Sequence, residues 1–381
     1  MITKQNAEAL FTEDLIAEII QGVTKQSAAL RMFRKLPNMT SNRMRMRVLD
    51  ALLLAYWVDD ATDNGRKKLT EAAWANKFIV PAEIAVIVPI KEDVLDDASI
   101  DIWGEIRPRL VEAFGKKIDQ AIFAGVDKPS AWRADLLSSI AQAGAYVTQG
   151  STLYSAINDA MTKVEESGYN PTGIVGGVDV KGKFRMMLDT SGQPIKGTEI
   201  DELPKAYIDN GAWDKTKAQM IIGDFTQAVY SIRQDITYKI LDQAIIQDPS
   251  TGDILYNLAQ EDMVALRVTM RLGWEIPNPI NALAPDESKR FPFAAIQATS
   301  ALTTNTTTFT VTDDGATSYV EGARVSFGGM VAKTNASGVA TFKTQNGVYQ
   351  YKITANGYQP YTGSVTVDGT EAVPVTLSAK S

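Results

Sequence analysis

The chain has 381 residues, a formal net charge of −7 and an isoelectric point near 5.0. This length predicts two or more folding units, and the acidic balance argues against wide contact with nucleic-acid phosphates, for which proteins concentrate Lys and Arg. The sequence has no cysteine and no histidine, which excludes disulfides, thiolate nucleophiles, Ser-His-Asp triads and most transition-metal centres.

The first predicted element is an amphipathic helix within residues 12–36. Thr12 is a suitable N-cap, and Leu15, Ile16 and Ile19 begin a run of apolar residues at helical spacing. The N-terminus lacks a basic segment followed by an apolar core, so no secretory signal is expected. No apolar run reaches the ~18 residues that a membrane helix needs.

Residues 41–92 are predicted to form an extended β-hairpin. Arg and Met alternate from Arg43 to Arg47, the period of two that is typical of a strand with one polar face. A second strand-like run, "KFIVPAEIAVIVPI", follows an Asn-Gly turn, and its residues Pro81 and Pro89 favour an edge position. Because a two-stranded hairpin is only marginally stable alone, something else is expected to cover it.

The stretch "KEDVLDDASIDIWGE", residues 91–105, concentrates carboxylates. A calcium site is one interpretation, but no register supplies both the Gly and the Glu that an EF-hand loop requires. The favoured interpretation places Asp96, Asp97 and Ser99 at a helix N-terminus, where side-chain oxygens accept bonds from unpaired backbone N–H groups.

A long helix is predicted over residues 99–124. Apolar side chains recur every three or four residues along it, with Trp103 packing on its first turns. Pro108 removes one backbone hydrogen bond, so the helix is expected to kink or to start near this residue.

The middle of the chain is predicted to be mixed α and β. Residues 150–168 have a helical pattern that ends at Gly168. Strand-like runs separated by Gly/Asp turns follow it, namely "GIVGGVDV", "AQMIIGDF", "AVYSIRQDITYKIL" and "DMVALRVTMRLGWEI".

The C-terminal part differs in composition. Residues 286–305 are rich in Pro, Ser and Thr, which predicts a linker. Residues 306–381 contain short alternating runs with turn residues every ~10 positions, a pattern typical of a β-sandwich.

Other candidate sites are better interpreted as structural. The segment "GIVGGVDV", residues 173–180, lacks the spacing of a phosphate-binding loop and favours a turn. Lys67 and Lys68 would be reactive amines only if they were buried or beside another cation, so solvated tip charges are favoured. The Arg/Met run 43–47 has no interleaved aromatic residues for base stacking, which favours pairing with acidic neighbours over nucleic-acid binding.

Four tyrosines allow two interpretations. Tyr349, Tyr351, Tyr358 and Tyr361 could bind sugars or proteins if exposed. At alternate strand positions, such as 349 and 351, tyrosines are more often half-buried sheet residues, and that interpretation is favoured.

In chain order, the arm, the hairpin and three phrases form a recognisable set: "VLDDA" before the long helix, "GDF-Q-AV---RQ-IT", and "VALRV--R-GW-I-NP-A". Together they resemble the major capsid proteins of tailed bacteriophages, which have the Hong Kong 97 fold of the α+β class. The resemblance covers about residues 1–295. The phrases "V-GA-V-F-G", "T-ASGVATF" and "GVYQYKITANGY" resemble Ig-like or carboxypeptidase-regulatory-like modules, so an all-β Ig-like sandwich is expected at the C-terminus.

The resemblance implies a division of the chain into capsid domains. These would be an N-terminal arm (1–40), an extended loop over a neighbouring subunit (41–92), a peripheral domain (93–147 and 258–295) with a spine helix (99–124), an axial domain (148–257), a linker (286–305) and an Ig-like surface domain (306–381).

The implied function is a structural one, in the virion capsid, with no catalytic, cofactor or metal site. The protein would assemble in the host bacterial cytoplasm into pentamers and hexamers of an icosahedral head, without a membrane. The head would enclose double-stranded DNA without sequence-specific binding. A separate scaffolding protein is expected, and a portal, a maturation protease or cement proteins are possible partners. The Ig-like domain would face outward towards host-surface or mucus glycans.

Some capsid proteins crosslink their subunits through a loop lysine, an asparagine and a catalytic glutamate. Alignment on "VALRVTMRLGW" places Asp262 at the asparagine position and Thr269 at the glutamate position. We therefore predict no autocatalytic isopeptide bond.

Three alternatives remain open from the sequence. An encapsulin-like compartment shares the resemblance to the Hong Kong 97 fold and is the strongest of them. A glycosidase with a carboxylate pair and a carbohydrate-binding domain, and a monomeric cell-surface adhesin, are less favoured.

Overall fold

The structure is a computed structural model that describes residues 23, 26–49, 74–93, 102–150, 152–187, 193, 202–248, 251–297, 304–314 and 318–380, with the backbone alone at 102–105, 107 and 234–236. The helices are α1 (Ala28–Met32), α2 (Ile102–Ala124), α3 (Leu136–Ala143), α4 (Leu153–Glu166) and α5 (Val180–Arg185). The strands of the first two-thirds of the chain are β1 (Arg34–Lys35), β2 (Met44–Leu49), β3 (Trp74–Ile79), β4 (Ala82–Lys91), β5 (Tyr146–Val147), β6 (Gly173–Gly177), β7 (Lys205–Ile208), β8 (Ala218–Gly223), β9 (Val229–Leu241), β10 (Ile245–Gln247) and β11 (Ile254–Asn257). The remaining strands are β12 (Met263–Glu275), β13 (Phe293–Gln297), β14 (Asn305–Asp313), β15 (Arg324–Phe327), β16 (Met330–Lys333), β17 (Val339–Thr344), β18 (Gly347–Thr354), β19 (Tyr361–Val367) and β20 (Glu371–Leu377).

The segments before residue 298 that share the large hydrophobic core are here called the body. The body contains a four-stranded sheet in the order β1-β9-β12-β4, here called the long-strand sheet. Strand β12 runs antiparallel to both β9 and β4, and its register with β4 extends from Met263 opposite Lys91 to Leu272 opposite Ala82. Side chains on both faces of β12 are buried. Trp274 at its end shares one core with Phe33 and with Phe114 of α2.

A second sheet of five strands, in the order β5-β13-β8-β6-β7, lies in the same core. Helix α4 packs across β8 and β13 with one apolar stripe, because its buried residues recur at helical spacing. The hydroxyl of Thr152 caps its N-terminus by accepting from the Ser155 amide at 3.2 Å. Gly168 follows its C-terminus with a φ of +78°, so the predicted stop at this glycine is confirmed.

Residues 305–380, here called the C-terminal domain, form two sheets. One has the order β17-β14-β20 and the other β16-β15-β18-β19. Their inner faces enclose an aromatic core in which the Phe309 ring meets Phe327 and Phe342 edge-on, with centroids 5.3 and 5.7 Å apart. The alternating runs thus form an all-β unit, as their period of two predicts.

The segment 286–305, expected to be a linker, contains a strand in its middle. Residues 293–297 form β13, which pairs with β8 on one side and β5 on the other. Phe293 and Ile296 are fully buried. The average Pro, Ser and Thr content of the segment concealed the apolar run "FPFAAIQ", and such a continuous run is typical of a strand buried on both faces.

The range 148–257, expected to be one domain, contributes to both sheets of the body. Strands β6, β7 and β8 lie in the five-stranded sheet, whereas β9 pairs with β12 in the long-strand sheet. The chain changes sheets between Gly223 and Val229, well before the domain boundary predicted at 257.

The N-terminal half bears on the sequence predictions at three elements. Ser27 has an extended backbone and caps a separate five-residue helix, α1; most of the short helix predicted within residues 12–36 lies outside the described residues. Pro108 lies inside α2, so a helix start near this residue is wrong, and the kink stays a prediction. The hairpin predicted over 41–92 consists of β2 and β3 only, because the chain breaks at Pro81 and β4 pairs with β12. Pro89 does lie on an edge strand, as predicted.

Candidate functional site

The β2–β3 hairpin has one face on the body and one face in solvent. Ile79 is buried in a small cluster with Met39 and Val229, and Met44 and Met46 pack against it. On the other face Arg45 lies opposite Phe78, and Trp74, opposite Leu49, is 64% exposed. The structure thus presents arginines and aromatic rings together on an exposed sheet face, here called the basic face.

The basic face corrects two sequence-based interpretations. The Arg/Met run itself has no aromatic residues, but β3 places Phe78 and Trp74 beside it, and the Arg43 guanidinium lies 5.9 Å from the Phe78 ring centre. The expected acidic neighbours are absent from β3, whose sequence is "WANKFI". Sequence reasoning missed this because the rings and arginines lie on different strands about 30 residues apart in the chain.

The β10–β11 hairpin exposes apolar side chains as well. Its inner residue Ile246 packs on a cluster of Leu258, Met263 and Ala265. Its outer side chains face solvent: Ile254 is 60% exposed, and more than half of the surface of Ile245 and of Leu255 is exposed as well. Exposed apolar patches of this kind mark interaction surfaces.

Charge distinguishes this second hairpin from the first. Residues 242–262 contain Asp242, Asp248, Asp253, Glu261 and Asp262 and no Lys or Arg. We call this segment the acidic hairpin. Its charge is opposite to that of the basic face, and apolar side chains lie beside the charges in both.

The two hairpins lie at opposite ends of the long-strand sheet. The acidic hairpin adjoins Met263 at the start of β12, whereas β3 ends against Gly273, where an added Cβ would lie 2.7 Å from the Ile79 side chain. Ten residues of extended strand span ~30 Å. One chain therefore cannot bring its own two hairpins together.

A buried polar group, Asp135, joins the C-terminal domain to the body. Asp135 caps α3 and accepts from the Ser138 amide at 2.9 Å and the Ser138 hydroxyl at 2.8 Å. It also accepts from Nε2 of Gln345, in the C-terminal domain, at 2.8 Å. Burial raises the pKa of the Asp135 carboxyl against the lowering effect of these donors. Burial also lowers the pKa of the neighbouring Lys128, to about 8.

Backbone and side-chain contacts extend this junction. The Ala134 amide donates to the Gly328 carbonyl, and Ala134 is buried in the core of the C-terminal domain. Gln142 of α3 donates to the Thr341 carbonyl at 3.2 Å and accepts from the Lys343 amide at 2.7 Å. Helix α3 was not predicted, although Asp135 followed by "LLSS" is a recognisable helix start.

An ion-pair cluster forms a second contact of the C-terminal domain. Glu287 lies 3.3 Å from the Lys77 ammonium of β3 and 2.6 Å from the Arg324 guanidinium of β15. Burial favours the neutral Glu287 carboxyl, but the charges of Lys77 and Arg324 outweigh it and hold the pKa below its ordinary value. A buried pair of Arg133 with Glu275, at 2.9 Å, lies beside it.

Asp119 fixes the N-terminal segment to α2. Its carboxylate is buried and accepts from the Ser27 hydroxyl at 2.7 Å, from the amides of Ala28 and Ala29 at 3.1 Å, and from the Asn210 amide group at 3.3 Å. Burial raises the pKa of this carboxyl, opposed by these donors. The carboxylate thus caps α1 from a distant helix.

Several predicted site residues lie outside the described residues. These are Asp96, Asp97 and Ser99, the lysines Lys67 and Lys68, and the side chain of Trp103. The candidate phosphate loop is a buried strand, β6, that leads into the short helix α5, so the expected turn is wrong for its first five residues.

The tyrosines divide as their positions suggested. Tyr349 and Tyr351 are buried in the C-terminal core, which confirms the sheet interpretation for these two. Tyr361 is 43% exposed and stacks on Tyr351, with ring centroids 6.2 Å apart. Tyr319, which the sequence analysis did not single out, is 60% exposed.

The described residues contain no group of three or more Asp or Glu side chains placed to hold a metal ion. Among the helices in the described ranges, none is both long and apolar enough to cross a membrane. The prominent surfaces of the described residues are two exposed hairpins of opposite charge, and exposed apolar patches such as those they carry mark interaction surfaces.

Comparison with known proteins is consistent with this class. A family model described as the phage capsid family matches residues 8–285. The chain therefore belongs to the phage capsid family and is a structural component of the virion capsid, not an enzyme.

Similar proteins come from several phages. The major capsid protein of Staphylococcus phage 80alpha is 26% identical over 229 residues, which cover 58% of this chain and 68% of that protein. A solved structure from Microbacterium phage Oxtober96 has a TM-score of 0.64 at 32% identity and covers 78% of this chain and 99% of that one. A structure from Mycobacterium phage Bobi has the same TM-score at 31% identity and covers 79% and 99%.

Proposed function

We propose that this chain assembles into the icosahedral head that encloses the double-stranded DNA of a tailed phage. The observation that carries the proposal is the placement of two exposed, oppositely charged hairpins at opposite ends of one sheet. Two different complementary surfaces on one chain make a heterologous contact, and such contacts form rings, such as pentamers and hexamers, when the rotation between neighbours closes. Family membership supports the same function.

In the proposed ring, the basic face lies over the acidic hairpin of a neighbouring copy. Arg45 and Arg47 would meet the carboxylates of Asp253 and Glu261, and Phe78 and the exposed aliphatic side chains would be removed from water. Obligate assembly contacts commonly bury ~2,000 Å² or more. Charge complementarity selects the partner and its register, while burial of apolar surface supplies most of the affinity.

A charge exchange tests this contact. Arg45→Glu with Arg47→Glu should abolish particles seen by negative-stain electron microscopy, and so should Asp253→Lys with Glu261→Lys. Combining all four substitutions restores opposite charges and should restore particles. A matched control changes Lys333 and Lys352, exposed cations of the C-terminal domain, to Glu. Folded combined variants that stay unassembled would refute the pairing.

The domain assignment follows the two sheets of the body. We assign the long-strand sheet and α2 to the peripheral domain and the five-stranded sheet to the axial domain. This moves β9 into the peripheral domain and β13 into the axial domain. Cryo-electron microscopy of an assembled shell would test it, since the five-stranded sheet should lie at capsomer centres.

The encapsulin-like compartment is distinguished by its contents. A phage head should contain DNA that resists nuclease until the particle is opened. Particles that contain protein cargo and no DNA would favour the compartment over the head.

For the C-terminal domain we propose an Ig-like module that faces outward and contacts glycans. The exposed rings of Tyr319 and Tyr361 support the proposal, because aromatic faces stack on sugars. Retention of particles on a mucin column should fall for Tyr319→Ala with Tyr361→Ala. Lack of retention of unaltered particles would reject it.

We also propose that the subunits are not crosslinked. The positions aligned with the catalytic glutamate and the asparagine carry Thr269 and Asp262, so neither has the residue that the crosslink needs. In the structure the Thr269 hydroxyl lies 2.7 Å from the Thr237 hydroxyl, and Asp262 lies in a turn with a φ of +50°. Mature shells should dissociate to single chains in SDS, and resistant multimers would contradict this.

A further inference from the structure

Glu287 connects three segments that are distant in the sequence. Its two carboxylate oxygens contact Lys77 of the β2–β3 hairpin and Arg324 of the C-terminal domain. The side chains of Lys77 and Glu287 are mostly buried, with 14% and 18% exposed, and that of Arg324 is 31% exposed. The hairpin and the C-terminal domain are thus joined through one carboxylate of the body.

The backbone that carries Glu287 is held rigidly on the body. The Asp286 side chain accepts from the Ser288 amide and hydroxyl at 3.0 and 2.7 Å, which closes a tight turn. Arg290 is buried and donates to the Ala284 carbonyl at 2.7 Å. The Arg290 carbonyl in turn accepts from Asn278 at 2.9 Å. Hydrogen bonds on both sides of Glu287 therefore hold its backbone against the body.

The Lys77 end of the bridge is also tied to a second ion pair. The Lys77 ammonium lies 3.5 Å from the Ile276 carbonyl, and the Ile276 amide donates to Glu275 at 2.9 Å. Glu275 pairs with Arg133. An added Cβ on Gly329 would lie 2.7 Å from the Arg133 side chain, so the C-terminal domain packs directly on this pair. The cluster surrounds a cavity of about 30 Å³, which is room for about one water molecule.

The hairpin depends on this bridge more than the C-terminal domain does. The domain has its own attachments at Asp135, Ala134 and Gln142. The inner face of β2–β3 packs on a small cluster around Ile79, with Gly273 of β12 close by and one backbone bond from the Ile280 amide to the Leu49 carbonyl at 3.2 Å. An isolated two-stranded hairpin is marginally stable. Loss of a buried charged partner leaves the remaining charges uncompensated.

We propose that the C-terminal domain clamps the base of the β2–β3 hairpin through the Lys77–Glu287–Arg324 bridge and so sets the direction in which the hairpin leaves the body. The domain is then an integral part of the subunit, whatever its outer face binds. The effect of the clamp on shell geometry rests on the proposed assembly through the hairpin, but the clamp itself acts within one chain.

Amide hydrogen exchange in the unassembled full-length chain measures the effect of the clamp on the hairpin without any contribution from contacts between subunits. Glu287→Gln and Arg324→Gln should each speed amide exchange in β3 about tenfold, the change that corresponds to loss of one buried polar contact. Exchange in β18 should stay unchanged, which shows that the C-terminal domain remains folded. Faster exchange in β3 after Arg324→Gln would show that a substitution in the C-terminal domain changes the stability of the hairpin.

Lys333→Met is the matched control, because Lys333 lies opposite Arg324 on the next strand and is exposed. It should leave β3 exchange unaltered. Unaltered β3 exchange in Arg324→Gln, with β18 exchange also unaltered, would overturn the clamp. If Arg324→Gln speeds exchange in β18, Glu287→Gln tests the link between the body and Lys77 without changing the C-terminal domain, and unaltered β3 exchange there would also overturn the clamp. Either result would leave the assembly proposal standing, because that proposal depends on the charge exchange.

Discussion

The exposed hairpins and the C-terminal junction use similar residue types in opposite ways. At the junction, Asp135 and Glu287 have their partners within the same chain, and the contacts are buried. On the hairpins, Arg45, Ile254 and Leu255 face solvent. A buried polar group needs a hydrogen-bond partner within the folded chain, because an unpaired one costs ~1–3 kcal/mol. An exposed apolar face does not prevent folding of the single chain and can be buried later against a second chain. The contacts of the junction therefore form during folding, whereas those of the hairpins form during assembly.

The largest effect on folding should come from Arg133→Met. This substitution leaves Glu275 buried without its partner, which costs ~3–5 kcal/mol. Urea denaturation followed by tryptophan fluorescence would measure the loss. Arg109→Met, which removes a highly exposed partner of Glu112, should cost less than ~1 kcal/mol. Equal losses would show that the junction is no more sensitive than the surface.

A smaller loss is expected for Asp119→Ala. Ser27 still caps the Leu30 amide, but the Ser27 hydroxyl and the amides of Ala28 and Ala29 lose their acceptor, so unfolding should be easier by about 2 kcal/mol. Asp119→Asn keeps one carbonyl oxygen as an acceptor, so its free energy of unfolding should lie between that of Asp119→Ala and that of the unaltered chain. Stability equal to that of the unaltered chain would contradict the capping role.

Ile254→Ser should separate assembly from folding. Because Ile254 is exposed in the single chain, the free energy of unfolding should change by less than ~0.5 kcal/mol. Particle yield in sedimentation should nevertheless fall sharply, since the side chain would lose its burial against a neighbour. Ile246→Ser, on the inner face of the same hairpin, should instead destabilise the subunit. Unchanged particle yield with Ile254→Ser would argue against an interface there.

A pH dependence of stability is expected from Lys128. Its ammonium lies over the Tyr349 ring at 4.4 Å, with Asp135 nearby, and burial lowers its pKa to about 8 from 10.5. Between these values the unfolded chain binds more protons than the folded one, so stability should rise with pH from about 8 towards 10. Lys128→Met should flatten this rise in urea titrations. An identical slope in both proteins would assign it to other groups.

The sequence predicted best what depends on neighbouring residues. Alternation identified β9, β12 and the strands of the C-terminal domain, and helical spacing identified α2 and α4. Short phrases predicted the family. Strand β13 was not predicted, because the composition of residues 286–305 was averaged over too long a window. Helix α3 was not predicted, because it is short and its cap is its main sequence signal.

By itself the sequence determined the α+β class, the all-β C-terminal unit and membership of the capsid family, because periodicity and short motifs are local properties of the chain. Only the tertiary structure decided that Phe78 and Trp74 lie beside the arginines of β2, and that β9 and β13 exchange sheets relative to the expected boundaries. It also decided that Gln345 reaches Asp135 across 210 positions. Such contacts form between segments whose meeting depends on the packing of the whole core, and no local pattern records them.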